Sequence, residues 1–161
     1  MAHAGLKKLL HFGGSGYAAS GSDRRRNKRT IPTAGTQVLI VDDSKTAQRY
    51  LSAMLSQGRF DTLVAGDAES GINQAKIVRP DLILMDIFMP GMNGFQATRR
   101  LRQDPETCDI PIIMISGNTE GMDHLWGLKM GANDFMAKPF TRGELFQRIE
   151  NVLYKNSVKI A

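Results

Sequence analysis

Three short apolar runs, each ending in an acid or a hydroxyl, constrain the fold of this chain more than any other feature. Val38-Leu39-Ile40-Val41 runs into Asp42 and Asp43, Leu82-Ile83-Leu84-Met85 runs into Asp86, and Ile110–Ile115 runs into Ser116. Continuous runs this short, rich in β-branched residues, are strands buried on both faces, as in parallel sheets covered by helices. The intervening segments carry helical spacing. Ser44 is placed to cap a helix with Ala47, Leu51, Met54 and Leu55 on one face. Asp67 or Ala68 opens a second, with Ile72, Ala75 and Val78 inward and its end before Pro80. Phe95–Arg102, Met122–Met130 and Thr141–Leu153 read as three more, the middle one closed by Gly131 and the last with Leu145, Ile149 and Val152 on one side. Phe60–Ala65 and Asp134–Ala137 complete a set of five strands. Such alternation predicts an α/β fold: a doubly wound parallel sheet with right-handed crossovers and helices on both faces.

Parallel strands bring their carboxyl ends to one edge, where sites in open α/β sheets are built. Here that edge would gather Asp42, Asp43, Asp86, Ser116 and Lys138. Three adjacent carboxylates raise one another's pKa and call for a cation, and a hard ion such as Mg²⁺ suits carboxylate oxygens plus water. Lys138 adds a monovalent cation and Ser116 a hydroxyl donor. A carboxylate nucleophile in such company suits phosphoryl transfer, where positioning and charge neutralisation do nearly all the catalysis. Taken singly, each element has an ordinary meaning: an Asp-Asp pair in a solvated loop, a Ser capping a turn, a Lys-Pro on the surface. Their joint arrival at successive strand ends is what points to chemistry.

The net charge of +5 is misleading as a property of the domain. Lys7, Lys8, Arg24, Arg25, Arg26, Lys28 and Arg29 stand before residue 36 against Asp23 alone, so residues 1–35 carry +6 and the remainder −1. Residues 1–35 are Gly-, Ser- and Arg-rich, and this composition predicts a disordered tail. Its one apolar patch, Leu6–Phe12, is too short and too charged for a secretory signal; the alternative to a solvated tail is one or two helical turns on a partner or membrane surface. No run approaches a membrane span. The single Cys108 excludes an intrachain disulfide and fits a reducing, cytoplasmic setting.

Val41-Asp-Asp-Ser44, Leu84-Met-Asp-Ile-Phe-Met-Pro-Gly-Met-Asn-Gly94, Met114-Ile-Ser-Gly117 and Lys138-Pro-Phe140 resemble the receiver domains of bacterial response regulators. The intervals Asp43–Asp86, Asp86–Ser116 and Asp86–Lys138, of 43, 30 and 52 residues, fit that family as well. The resemblance spans residues 36–154, leaving 1–35 and a short 155–161 tail outside. It implies a flavodoxin-like five-stranded sheet of order 2-1-3-4-5. It also implies that Asp86 is the phosphoacceptor, with Ser116 and Lys138 binding the phosphoryl oxygens. Mg²⁺ would be held by Asp43, Asp86, Asp42 partly through water, and the backbone carbonyl of Phe88. The Lys138–Pro139 bond would be cis, and Ser116 and Phe135 would form the switch pair. Phe135 lacks the hydroxyl that some partners of the family read.

Two rival functions can be weighed in the same residues. A Mg²⁺-dependent phosphohydrolase of the haloacid dehalogenase type also uses a strand-end Asp, but needs a second Asp two residues on as general acid; here that position is Phe88. An inert domain bearing a nucleic-acid- or membrane-binding tail leaves the Asp, Ser and Lys set unexplained. The expectation is therefore a switch and not a turnover enzyme. Its phosphodonor would be a histidine kinase and its output an unidentified downstream protein, docked on the face around the fourth helix and fifth strand. Only Tyr154–Ala161 follow Leu153, too few for an output module, so a single-domain regulator is expected, as a monomer or a weak phosphorylation-dependent dimer. Pro90–Arg99 and Leu125–Ala132 look similar to stand-alone receivers of twitching-motility and chemotaxis-like systems. Met85, Met89, Met92 and Met114 read as packing, Gly91 and Gly94 as turn geometry, and Trp126 as a partly buried core residue or, alternatively, a partner anchor. Phe88 and Asn118, two residues beyond Asp86 and Ser116, flank the path of attacking water, and neither can act as a base.

Overall fold

A computed structural model describes residues 35–117 and 121–160, with side chains for 35–117 and 124–156. The readings made for residues 1–34 and for Asn118 lie outside the described residues. Five strands, β1 (Gln37–Val41), β2 (Asp61–Ala65), β3 (Leu82–Asp86), β4 (Ile112–Ser116) and β5 (Asp134–Ala137), form one parallel sheet of order β2-β1-β3-β4-β5. The helices between and after them are α1 (Lys45–Gln57), α2 (Ala68–Val78), α3 (Gly94–Gln103), α4 (Gly121–Lys129) and α5 (Arg142–Ile160). The expected fold and strand order are both observed.

The period-two geometry of the inner strands divides the core in two. Leu39, Val41, Ile83, Met85, Ile112 and Met114 face one side, where Ala68, Ala75, Ala97 and Leu101 of α2 and α3 cover them. Val38, Ile40, Leu82, Leu84, Ile113 and Ile115 face the other, beneath Leu51 and Leu55 of α1 and Leu145, Ile149 and Val152 of α5. β3 and β4 are buried at every residue, which is why they read as unbroken apolar runs. Met85, Met89 and Met114 are buried and Met92 is packed against them, as read from sequence.

Two expectations are corrected. The last helix continues to Ile160, past the end expected at Leu153. No Gly or Pro follows Gly143, so nothing in the backbone chemistry stops it at Leu153. Trp126 is not a core residue: it is 47% exposed, alongside Leu125 and Leu128. The cause is Gly127, where an added Cβ would lie 3.0 Å from Met114 Sδ. The helix meets the sheet through its glycine, which turns the flanking large residues outward.

At the amino ends of the strands, Arg102 ties three segments together. Its guanidinium donates to the carbonyls of Gly131 (2.8 Å), Cys108 (3.0 Å) and Ile110 (2.8 Å), and to Asn133 Oδ1 (2.8 Å). Gly131 has φ +98°, and a Cβ there would meet the Arg102 stem at 2.8 Å. Glycine is needed for both reasons. Replacing Arg102 by Ala strips the donors from three carbonyls in a partly buried joint, and the expected cost is about 2–4 kcal/mol. Urea denaturation of Arg102→Ala against the parent measures it; a loss near zero would show that water replaces the guanidinium.

Candidate functional site

Strand register builds the site. Val41 pairs with Met85, so Asp42 emerges from β1 beside Asp86, the last residue of β3. Ser116, the last residue of β4, pairs with Ala137, and Lys138 follows immediately. The predicted strand-end residues therefore meet although nearly a hundred positions separate Asp42 from Lys138. One carboxylate oxygen from each of Asp42, Asp43 and Asp86 lies within 4.8 Å of the others. Asp42 is 2% and Asp86 6% exposed, Ser116 is buried, and Asp43 opens to solvent.

Lys138 is the cation that the carboxylates share. Its Nζ donates to Asp86 Oδ1 at 2.7 Å and to Asp42 Oδ2 at 3.2 Å. Its backbone N–H donates to the Ser116 carbonyl at 2.7 Å, and the Lys138–Pro139 bond is cis. Burial raises the Asp86 carboxyl above its ordinary value; the hydrogen bond and charge of Lys138 pull it back, while the Asp42 charge pushes it up again. For Lys138 burial acts downward, but the hydrogen bond and charge of Asp86, with Asp42 behind them, leave the ammonium above its usual value. Among the described residues Lys138 bridges two of the three carboxylates, which leaves negative charge in excess. The donor set therefore fits a divalent ion: hard oxygens, converging, one of them solvent-facing for access.

The backbone after Asp86 is shaped by a close approach of α3. Gly94, the first residue of α3, donates its N–H to the Ile87 carbonyl at 2.9 Å, and a Cβ at 94 would stand 2.2 Å from the Asp86 carbonyl oxygen. Gly94 thus serves close approach more than turn geometry, whereas Gly91, with φ +76°, is the turn residue. Asn93 and Gln96 close a capping box that fixes where α3 begins. Phe88 stands at the rim, 56% exposed, and its backbone N–H acts weakly to lower the Asp86 carboxyl. Phe135 is buried on β5, with the His124 ring edge-on at 5.3 Å.

One polar residue at this edge escaped the sequence reading. Gln48 is 7% exposed and shares the buried stripe of α1 with Leu51 and Leu55. Its Nε2 donates to the Asp42 carbonyl at 2.6 Å and reaches the Ala65 carbonyl at 3.4 Å. The signal was present, since Gln48 lies three residues before Leu51, on the face that apolar periodicity marks as inward.

A doubly wound parallel sheet with acids, a hydroxyl and a lysine at its carboxyl edge defines the class. The chain belongs to the response regulator receiver domain family, whose model matches residues 38–150. It is 43% identical over 117 residues to Protein PilH of Pseudomonas aeruginosa, covering 73% of this chain and 97% of that protein. To the DNA-binding response regulator MtrA of Mycolicibacterium smegmatis it is 37% identical over 126 residues, covering 78% of this chain and only 54% of MtrA. The chain thus spans about half of that relative. Among solved structures it is similar to the receiver domain of sensor histidine kinase PA1611 from P. aeruginosa PAO1, with 32% identity and a TM-score of 0.70 over 74% of this chain and 98% of that one. That structure has a magnesium ion coordinated in its active site cleft.

Burial of the Asp86 carboxyl carries a stability consequence. With its carboxyl raised above the unfolded value, the folded state binds the Asp86 proton more tightly than the unfolded chain does. Stability from this group is therefore greatest at low pH and declines as pH rises through the folded value. At neutral pH, Asp86→Asn removes the cost of the buried charge. In chelator its Tm is expected to exceed the parent's by a few degrees. Differential scanning fluorimetry decides; a lower Tm for the amide would mean that the Lys138 bond outweighs burial.

Proposed function

We propose that this receiver domain is a Mg²⁺-dependent switch that takes a phosphoryl group from the phosphohistidine of a histidine kinase onto Asp86. The observation that carries the reading is the Lys138 bridge, which holds Asp86 in a buried, acid-rich edge beside a buried hydroxyl. In the transfer the N–P bond to the kinase imidazole breaks and an O–P bond to an Asp86 carboxylate oxygen forms. Lys138 turns from the carboxylate toward the new phosphoryl oxygens, and the Ser116 hydroxyl donates to another of them. Asp42, Asp43, Asp86 and the Phe88 carbonyl would hold Mg²⁺, which supplies charge neutralisation for the transferring group. The acidic triad and the magnesium of the PA1611 receiver support that assignment.

Phe88 occupies the place where a phosphohydrolase of this chemistry carries its general acid, so the protein acts as a switch that catalyses its own phosphorylation and a slow hydrolysis, and does not turn over a substrate. Ser116 and Phe135 are the switch pair, and the face of α4 and β5 is the output surface, where Leu125, Trp126 and Leu128 are exposed. This exposure favours the partner-anchor reading of Trp126. The match to nearly the whole of PilH, which is one receiver in length, supports a single-domain regulator in motility-type signalling. Among the described residues no helix is long and apolar enough to cross a membrane. We assign the protein to the cytoplasm, as a monomer or weak phosphorylation-dependent dimer, with nucleic-acid or membrane contact by the basic tail as the lesser reading.

Acetyl phosphate with Mg²⁺ is expected to add one base-labile phosphoryl group, and Asp86→Asn to take none, because an amide cannot form the acyl phosphate. Intact-mass spectrometry reads both; undiminished labelling of the variant would remove Asp86 from its role. The lifetime of that group should be long, since Phe88 cannot orient or activate water. Phe88→Asn is expected to speed decay several-fold in a time course after donor removal, and decay as slow as the parent's would defeat the shielding argument.

A further inference from the structure

Gln48 is an amide on the core-facing stripe of α1, and apolar neighbours alone do not explain it. Its stripe companions, Leu51 and Leu55, are buried hydrocarbon. Burying an unpartnered amide costs several kcal/mol in an apolar setting, so its bonds must be met. They are met at one place. Nε2 donates to the Asp42 carbonyl at 2.6 Å, with the Ala65 carbonyl at 3.4 Å, while Oε1 lies 3.4 Å from Lys45 Nζ. Gln48 therefore joins α1 to the last turn of backbone on β1 and β2, directly behind the acidic pair.

Each polar group of Asp42 has a partner. Its N–H donates to the Ala65 carbonyl at 3.2 Å, and Oδ1 accepts from Ser44 N–H at 2.8 Å. Oδ2 accepts from Lys138 at 3.2 Å, and the carbonyl accepts from Gln48. Three of these four partners are backbone groups or the lysine that must move when a phosphoryl group arrives. Gln48 is the side chain that stays. With the carbonyl held, the peptide joining Asp42 to Asp43 has a fixed plane, and that plane sets where both carboxylates point.

We propose that Gln48 is a positioning residue for metal binding, an outer partner that orients Asp42 and Asp43 toward the ion. The inference rests on the magnesium reading above. Orienting partners of ligands usually govern affinity by about 10–100-fold, and a single bond to a carbonyl belongs at the low end. Gln48→Met keeps the length and volume of the side chain and removes both donors. Gln48→Arg keeps donors within reach of the two carbonyls.

The test is Mg²⁺ alone titrated into the full chain, followed by amide chemical shifts, with phosphorylation by acetyl phosphate as a second readout. The Met variant should bind Mg²⁺ about tenfold more weakly. It should label slowly at limiting Mg²⁺ and recover most of its rate at saturating Mg²⁺, and the Arg variant should lie closer to the parent. In the parent, the Gln48 side-chain NH₂ signals should exchange slowly with solvent and shift on Mg²⁺ addition. Equal Mg²⁺ affinity of parent and Met variant overturns the proposal while leaving the magnesium site standing. A parent that binds no Mg²⁺ overturns both. If the Met variant does not fold, the parent's NH₂ signals decide, and fast exchange with no response to Mg²⁺ overturns the positioning role.

Discussion

Three carboxylates gathered at one edge of a sheet repel one another, and Lys138 alone cannot neutralise them. The architecture is best understood as what it takes to hold that arrangement together. Two hydrophobic layers fix the inner strands in register, and register places Asp42 beside Asp86 and Lys138 one residue beyond the pairing of Ser116 with Ala137. The lysine spans two buried acids, and its own backbone is tied to the end of β4. Burial of this kind makes the charges costly but effective, because a low local dielectric strengthens every interaction the site makes. An electrostatically neutral edge would be more stable and would have no affinity for a cation or a phosphoryl group.

The opposite edge of the sheet solves a different problem with a different group. There Arg102 satisfies carbonyls that the turns into β4 and β5 leave unpaired, using its forked donors as a brace. One edge is held by hydrogen bonds to neutral backbone and the other by opposed charges. Only the second changes when a charge is added.

Much of this was legible in the residues. β1, β3 and β4 are buried on both faces, so their apolar runs stand out, and the acids and hydroxyl that end them fall where a parallel sheet must bring them together. The sequence motifs then gave those residues roles. What periodicity hid was equally specific. Gln48 sits on the apolar stripe, but a polar letter there is normally discounted, and its partners are backbone carbonyls that no sequence pattern displays. Trp126, beside Leu125 and Leu128, reads as either core or partner anchor, and the pattern does not show that the contact with the sheet belongs to the glycine beside it. The end of α5 was drawn too early because the apolar spacing fades after Leu153, although the backbone meets no obstacle before Ile160.

That glycine has a consequence for how the molecule can change over time. Since Gly127 makes the contact with Met114, the large residues beside it on α4 contribute little to holding the sheet together. Exposed positions of this kind usually tolerate replacement within about 0.5 kcal/mol. The identities of residues 125, 126 and 128 are thus separable from the stability of the domain. Selection can rewrite what this helix presents to the outside while the acidic edge of the sheet keeps its shape.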